Sequence, residues 1–154
     1  MSRAFVKEQD AGSVVDFGER PVSDRPNDVT ATGLAKIEFE LANAQKEHAE
    51  AQRDGDRHAI ARTARDLRYW ESRRASANLV PPNPDTSAVR FGHTVTLARD
   101  DGRRQTFRIV GEDEADPANG TLSHASPLAR ALFGKSVSDT VRVGAHDLDI
   151  LDIA

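Results

Sequence analysis

The chain has 154 residues, 38% of them apolar and 30% charged, with 21 Lys+Arg against 25 Asp+Glu and a net charge of −4. That length suits one domain or two small ones, and the acidic balance excludes a general nucleic-acid coat, which needs a basic surface. With no cysteine, there is no disulfide scaffold, no thiol nucleophile and no Cys-ligated zinc site. The low apolar content argues for an elongated element with much solvated surface rather than one large core. Apolar stretches stay far short of the roughly 20 residues of a membrane span and no apolar leader segment is visible, so a soluble cytoplasmic protein is expected.

Residues 1–28 show no sustained helical or strand period and hold Gly12, Gly18, Pro21 and Pro26, with Phe5 and Phe17 as their aromatics. Such a segment buries too little surface to offset its ordering entropy, so a mostly disordered tail is expected. The alternative is that Ala4-Phe5-Val6 serves as a short docking motif.

Residues 29–80 change to Ala, Glu, Arg and Gln, with no proline before Pro81. Leu34, Ile37, Leu41, Ala44, His48 and Ala51 recur at alternating spacings of three and four, a heptad-like seam. Thr32, beside Gly33, occupies the expected N-cap. A second register follows with Ile60, Thr63, Ala64, Leu67, Trp70 and Ala77. Asp54-Gly55-Asp56 between them reads as a turn, with glycine free to take positive φ. Two helices joined this tightly pack antiparallel as an αα-hairpin. The first is acidic, and the second carries Arg57, Arg62, Arg65, Arg68, Arg73 and Arg74. Complementary pairing across the seam is the simpler expectation, and contact of the arginine helix with RNA or another negative wall the alternative.

Pro81, Pro82 and Pro84 make a short stiff linker over 81–87. Beyond it, over 88–154, the period becomes two. Val89, Phe91 and Thr94–Leu97 read as a strand kinked at Gly92, and Asp100-Asp101-Gly102 as a hairpin turn. Thr106–Val110 is a second strand, Glu112–Gly120 an acidic loop, Thr121–Ser123 a strand, and Pro127–Phe133 a short helix ended by Gly134. Val141–Val143 and Leu148–Leu151 complete the set. The fold class is therefore α+β: an antiparallel helical hairpin followed by a small antiparallel β domain with one short helix.

The β domain carries a more specific signal. Phe91-Gly92, Phe107-Arg108-Ile109-Val110-Gly111-Glu112-Asp113-Glu114-Ala115-Asp116, Ser126-Pro127-Leu128-Ala129-Arg130-Ala131-Leu132 and Gly134-Lys135 resemble, in order and spacing, the C-terminal domain of the bacterial GreA/GreB transcription elongation factors. Val29-Thr30 and Gly55-Asp56 resemble that family's N-terminal hairpin more weakly. The resemblance implies an FKBP-like β domain docked on the rim of the RNA polymerase secondary channel, with the coiled-coil hairpin entering the channel. It further implies a tip pattern like G-D-x-x-E-N, whose two acids hold a second Mg²⁺ for cleavage of backtracked RNA by the polymerase. One carboxylate alone holds hydrated Mg²⁺ too weakly for that task.

Two departures are visible. Ala59 stands where the tip glutamate belongs and Ile60 where the asparagine belongs. Each arm has about 22 residues, roughly 33 Å at 1.5 Å per residue, several turns shorter than the family's hairpin. The resemblance assigns polymerase docking to Ser126, Pro127 and Leu128, with Ala125 where some members carry an acid. The loop residues Glu112 and Asp113 are further docking candidates. Asp54, Gly55 and Asp56 form the tip, and Asp54 and Asp56 are the candidate Mg²⁺ ligands, the ion being shared with the polymerase rather than a cofactor of this chain.

An FKBP-like fold alone does not confer prolyl isomerase activity, and the β domain has only Phe91, Phe107 and Phe133 to line an apolar pocket. His48, His58, His93, His124 and His146 form no zinc motif, and no nucleophile elbow is present. The expectation is a monomeric, non-enzymatic elongation regulator that binds the secondary channel of RNA polymerase and acts by occupancy. It meets DNA and RNA only within the transcription complex and has no membrane partner. The alternatives are a working cleavage factor using Asp54 and Asp56, and a Gre-like domain that binds a different partner.

Overall fold

Thr30 begins the hairpin. Its backbone is extended and its Oγ1 accepts the Gly33 amide at 3.0 Å, which makes it the N-cap of α1 (Ala31–Asp54). The cap expected at Thr32 lies two residues too late, because the reach from a capping hydroxyl to the third helical amide begins at Thr30. The computed structural model describes residues 16–154, and the Ala4-Phe5-Val6 motif lies outside them.

Helix α1 ends at Gly55, which turns the chain with φ 67° and ψ 18°. Helix α2 (Arg57–Ser76) starts at once, capped by Asp56, whose Oδ1 accepts the amides of His58 and Ala59 at 3.0 and 3.1 Å. At 1.5 Å per residue, the 24 residues of α1 extend about 36 Å and the 20 of α2 about 30 Å. Ile37, Ala44 and Ala51 are buried along one side of the seam and Thr63 on the other. The seam thins toward the turn, where His48 Nδ1 and Thr63 Oγ1 are 2.9 Å apart and replace apolar packing with a hydrogen bond.

The charge pattern across the seam departs from expectation. Among the described residues, one ion pair, Glu38–Arg74 at 3.0 Å, joins the two helices. The other paired arginines of α2 find partners elsewhere: Arg68 at Glu19, Arg65 at neighbouring Asp66, and Arg73 in the β domain. The tail expectation also changes from Asp16 onward. Phe17 meets His58, Arg20 stacks on Tyr69 and Asn27 bonds the Arg73 carbonyl, so this segment runs along α2 in the helix's own direction. It is seated by aromatic and cationic contacts to α2 rather than by burying its own apolar residues.

The base of the hairpin is clipped by two short parallel strands, β1 (Asp28–Val29) and β2 (Asn78–Leu79). The amides of Asn78 and Val80 donate to the carbonyls of Asn27 and Val29, each at 2.9 Å. The β domain holds β3 (Thr94–Arg99), β4 (Arg104–Val110), β5 (Thr121–Ser123), α3 (Pro127–Leu132), β6 (Thr140–Val143) and β7 (His146–Ile153), with the sheet order β5-β4-β3-β7-β6. Val95, Leu97, Ile109 and Ile150 are fully buried on one face, and α3 closes it with Ala129 and Leu132. Burying each such aliphatic side chain contributes about 1.5–3 kcal/mol.

Two details of the sheet differ from the alternation pattern. Residue Gly92, with φ 86°, sits in a turn before the sheet, so β3 begins only at Thr94. The sheet is mixed rather than wholly antiparallel, because β4 and β5 run parallel with Arg108 opposite Thr121. The connection over 111–120 turns twice, once in a 3₁₀ turn at Pro117–Asn119, and so restarts in the direction of β4. Among the described residues, no helix is long and apolar enough to cross a membrane.

Candidate functional site

The structure separates the expected site residues into three places. Asp54, Gly55 and Asp56 form the exposed turn at the far end of the hairpin. The Asp56 carboxylate already accepts two backbone amides, so one of its oxygens is committed to holding α2 in place. Ala59, in the first turn of α2, carries only a methyl group. No group of three or more His, Cys, Asp or Glu able to hold a metal occurs among the described residues. Replacing Asp56 with alanine removes an N-cap and is expected to cost about 1 kcal/mol, read as a lower melting temperature.

The second place is α3. Ser126 is its N-cap, with Oγ accepting the Ala129 amide at 3.2 Å. Pro127 takes the first helical position, where a missing amide is harmless. The Pro127 ring and the Arg130 side chain are exposed, whereas Leu128 is half-buried against the sheet core. Of the three docking candidates on this turn, Pro127 therefore offers the most surface, while Ser126 and Leu128 also hold the turn's shape.

The third place corrects an expectation. Glu112 and Asp113 do not project from a solvated loop; they form the joint between the β domain and the hairpin. The Arg73 side chain is 3% exposed, with its Nε 2.6 Å from Asp113 Oδ2 and an Nη 3.4 Å from Glu112. The Asp113 side chain is itself only 6% exposed, which removes it from any docking surface. The physical reason is counter-charge: a guanidinium this deeply buried needs carboxylates beside it. Asn27 accepts a further Arg73 N–H at 2.7 Å, and its own amide donates to the Arg73 carbonyl at 2.9 Å. The Tyr69 hydroxyl donates to Asp113, and the Thr30 hydroxyl to Glu114. Hairpin and β domain are thus joined by a buried polar network.

Burial pushes the Tyr69 phenol up to about 12, with its hydrogen bond to Asp113 adding in the same direction. Unfolded tyrosine ionises near 10, so between pH 10 and 12 the unfolded chain releases a proton that the folded chain keeps. The contribution is complete below pH 10 and is lost as pH rises through 12. As Tyr69 is the only tyrosine, phenolate absorbance follows it alone. The expected midpoint lies near 12 in the folded protein and near 10 in denaturant; a folded midpoint near 10 would break the assignment of this hydroxyl to the joint.

The molecule is thus a helical hairpin with an acidic turn at its end, fixed through a buried polar joint to a small sheet domain. Comparison with known proteins gives the family. The family model "Transcription elongation factor, GreA/GreB, C-term" matches residues 83–154. Transcription elongation factor GreA of Sphingopyxis alaskensis is 34% identical over 122 residues, covering 79% of this chain and 73% of the relative. GreA of Ruegeria pomeroyi is 33% identical, covering 81% of this chain and 95% of the relative. GreB of Neisseria meningitidis is 41% identical over 95 residues and 58% of each chain. Among solved structures, the GreA factor homolog 1 protein of Thermus thermophilus aligns over 84% of this chain and 99% of its own at 19% identity, with a TM-score of 0.42. The chain belongs to the GreA/GreB family of transcription elongation factors.

The joint went unseen in the sequence. Asn27 and Asp113 lie 46 and 40 residues from Arg73, a separation at which no local pattern reports pairing. The acidic run after β4 was the one visible signal, and it is equally compatible with a solvated loop.

Proposed function

We propose that this chain binds RNA polymerase in the cytoplasm, docks its β domain at the rim of the secondary channel, and places the hairpin in the channel mouth. It acts on elongation by occupying that space, affecting nucleotide access, backtracked RNA or other channel factors, without supporting efficient transcript cleavage and without enzymatic activity of its own. Membership of the GreA/GreB family supports the partner and the process. The observation that carries the mechanism is the tip: Asp56 caps α2 through two amide bonds, and Ala59 supplies no second carboxylate. Arms of about 36 and 30 Å support the same reading, since they reach less far than the longer family hairpin.

The test uses a purified backtracked polymerase complex with this protein at saturating concentration, alone and in competition with a cleavage-competent GreA. The expected result is no RNA cleavage by the protein alone and loss of GreA-dependent cleavage on its addition, both unchanged by Asp56→Ala. Cleavage by the protein that disappears in Asp56→Ala would show instead that the tip delivers a metal. No effect in either arm would assign the β domain to another partner.

A further inference from the structure

Along α2, Ile60, Ala61 and Ala64 form a shallow apolar floor left open among the described residues, with Arg57 at the tip end and Arg65 and Arg68 at the other. Toward Arg65 and Arg68, Asp16, Phe17 and Gly18 form the facing wall of the groove. The Phe17 ring meets His58 edge-on with centroids 4.8 Å apart, and the Arg65 guanidinium lies 5.5 Å from the Phe17 centroid. Glu19 pairs with Arg68 at 2.7 Å. Gly18, at φ 62°, turns the chain between these anchors, and its amide donates to Asp16 Oδ1 at 2.8 Å. Small floor residues admit a flat ring, and arginines on both sides suit carboxylates and a π face.

We propose that this face is a recognition groove for a short, turned protein segment carrying an aromatic residue flanked by carboxylates, and that residues 16–19 occupy it in cis. The occupant shows the chemistry that the groove accepts: a ring between His58 and Arg65, and a carboxylate on Arg68. A partner segment of the same kind has to displace the cis occupant, which its tether keeps at high effective concentration. The groove is therefore gated by the chain's own segment. The gate lies beside the hairpin tip, because Phe17 packs on His58, the second residue of α2. The proposal concerns α2 and holds whichever partner the β domain binds.

Two measurements on the full chain test it. First, the His58 ring protons carry a ring-current shift from Phe17 that vanishes in Phe17→Ala. Second, a fluorescent peptide with the sequence of residues 16–21 binds the Phe17→Ala/Glu19→Ala chain about tenfold or more tightly than the wild-type chain, which holds its own occupant. Adding Arg68→Glu to that chain abolishes binding, and a peptide carrying Glu19→Arg restores it. Three results overturn the proposal: equal binding to the wild-type and Phe17→Ala/Glu19→Ala chains, no binding to the latter, or displacement of the peptide by a single-stranded oligonucleotide as readily as by unlabelled peptide. The last would make the face a nucleic-acid surface instead.

Discussion

Asp113→Ala is expected to lower stability by about 3–5 kcal/mol, because it removes one partner of a buried ion pair and strands the other. Arg73 would keep only Glu112, at 3.4 Å, and the Asn27 oxygen at 2.7 Å, while the Tyr69 hydroxyl would lose its acceptor. At roughly 2–4 °C per kcal/mol for a chain of this size, the melting temperature should fall by some 10 °C. Trp70, the single tryptophan, adjoins Tyr69 with ring centroids 4.9 Å apart and reports the change by fluorescence. Asp113→Asn, which keeps shape and one acceptor, should cost less. The diagnostic variant is the pair Arg73→Met with Asp113→Leu: replacing both charges should recover more than half of the loss, since the one ion left without its partner, Glu112, is 23% exposed and reaches water. Losses that simply add in the double variant would mean that the two side chains do not act as a unit.

Gly111→Ala is expected to cost about 1–3 kcal/mol, the range for overpacking a close contact. A β-carbon at Gly111 would stand 2.6 Å from the Asp28 carbonyl oxygen and 3.6 Å from Val29 Cα. Both are backbone atoms of β1, so the strand itself must move and its pairing with Asn78 and Leu79 is strained. Gly33 provides the contrast. Its β-carbon would meet Glu114 Oε1 at 2.7 Å, but that atom is the end of a flexible side chain. Alanine also gains roughly 0.5–1 kcal/mol of helix propensity over glycine, so Gly33→Ala should be close to neutral. Chemical denaturation of the two variants side by side decides it; equal losses would show that the approach of β1 to Gly111 does not limit the joint.

The elements were largely legible in the sequence, and their assembly was not. The seam through Ile37, Ala44 and Ala51 announces α1, and Asp54-Gly55-Asp56 announces the turn, because both signals are local. The strands around Val95, Ile109 and Ile150 show in the alternation for the same reason. What the sequence leaves open depends on where distant residues arrive. The direction of β5 follows from the path of residues 111–120, and no period encodes that path. The seating of Phe17 and Arg20 depends on ring and guanidinium partners on α2, whereas composition alone counts only what a segment buries by itself. In the candidate site, the same limit reverses the reading of Asp113: an acid in a polar loop looks solvated until Arg73, 40 residues earlier, is known to face it.

The pairing of β1 with β2 has a consequence for how such a molecule changes. Because the chain leaves and returns at one clip, the arms behave as a boom on a fixed mount, with aim set at the mount and reach set by residue count alone. Seven residues added to each arm would carry the tip outward by about 10 Å and rotate the seam by only some 20°, leaving the mount untouched. Reach is then a dial that insertion or deletion can turn without redesigning anything else.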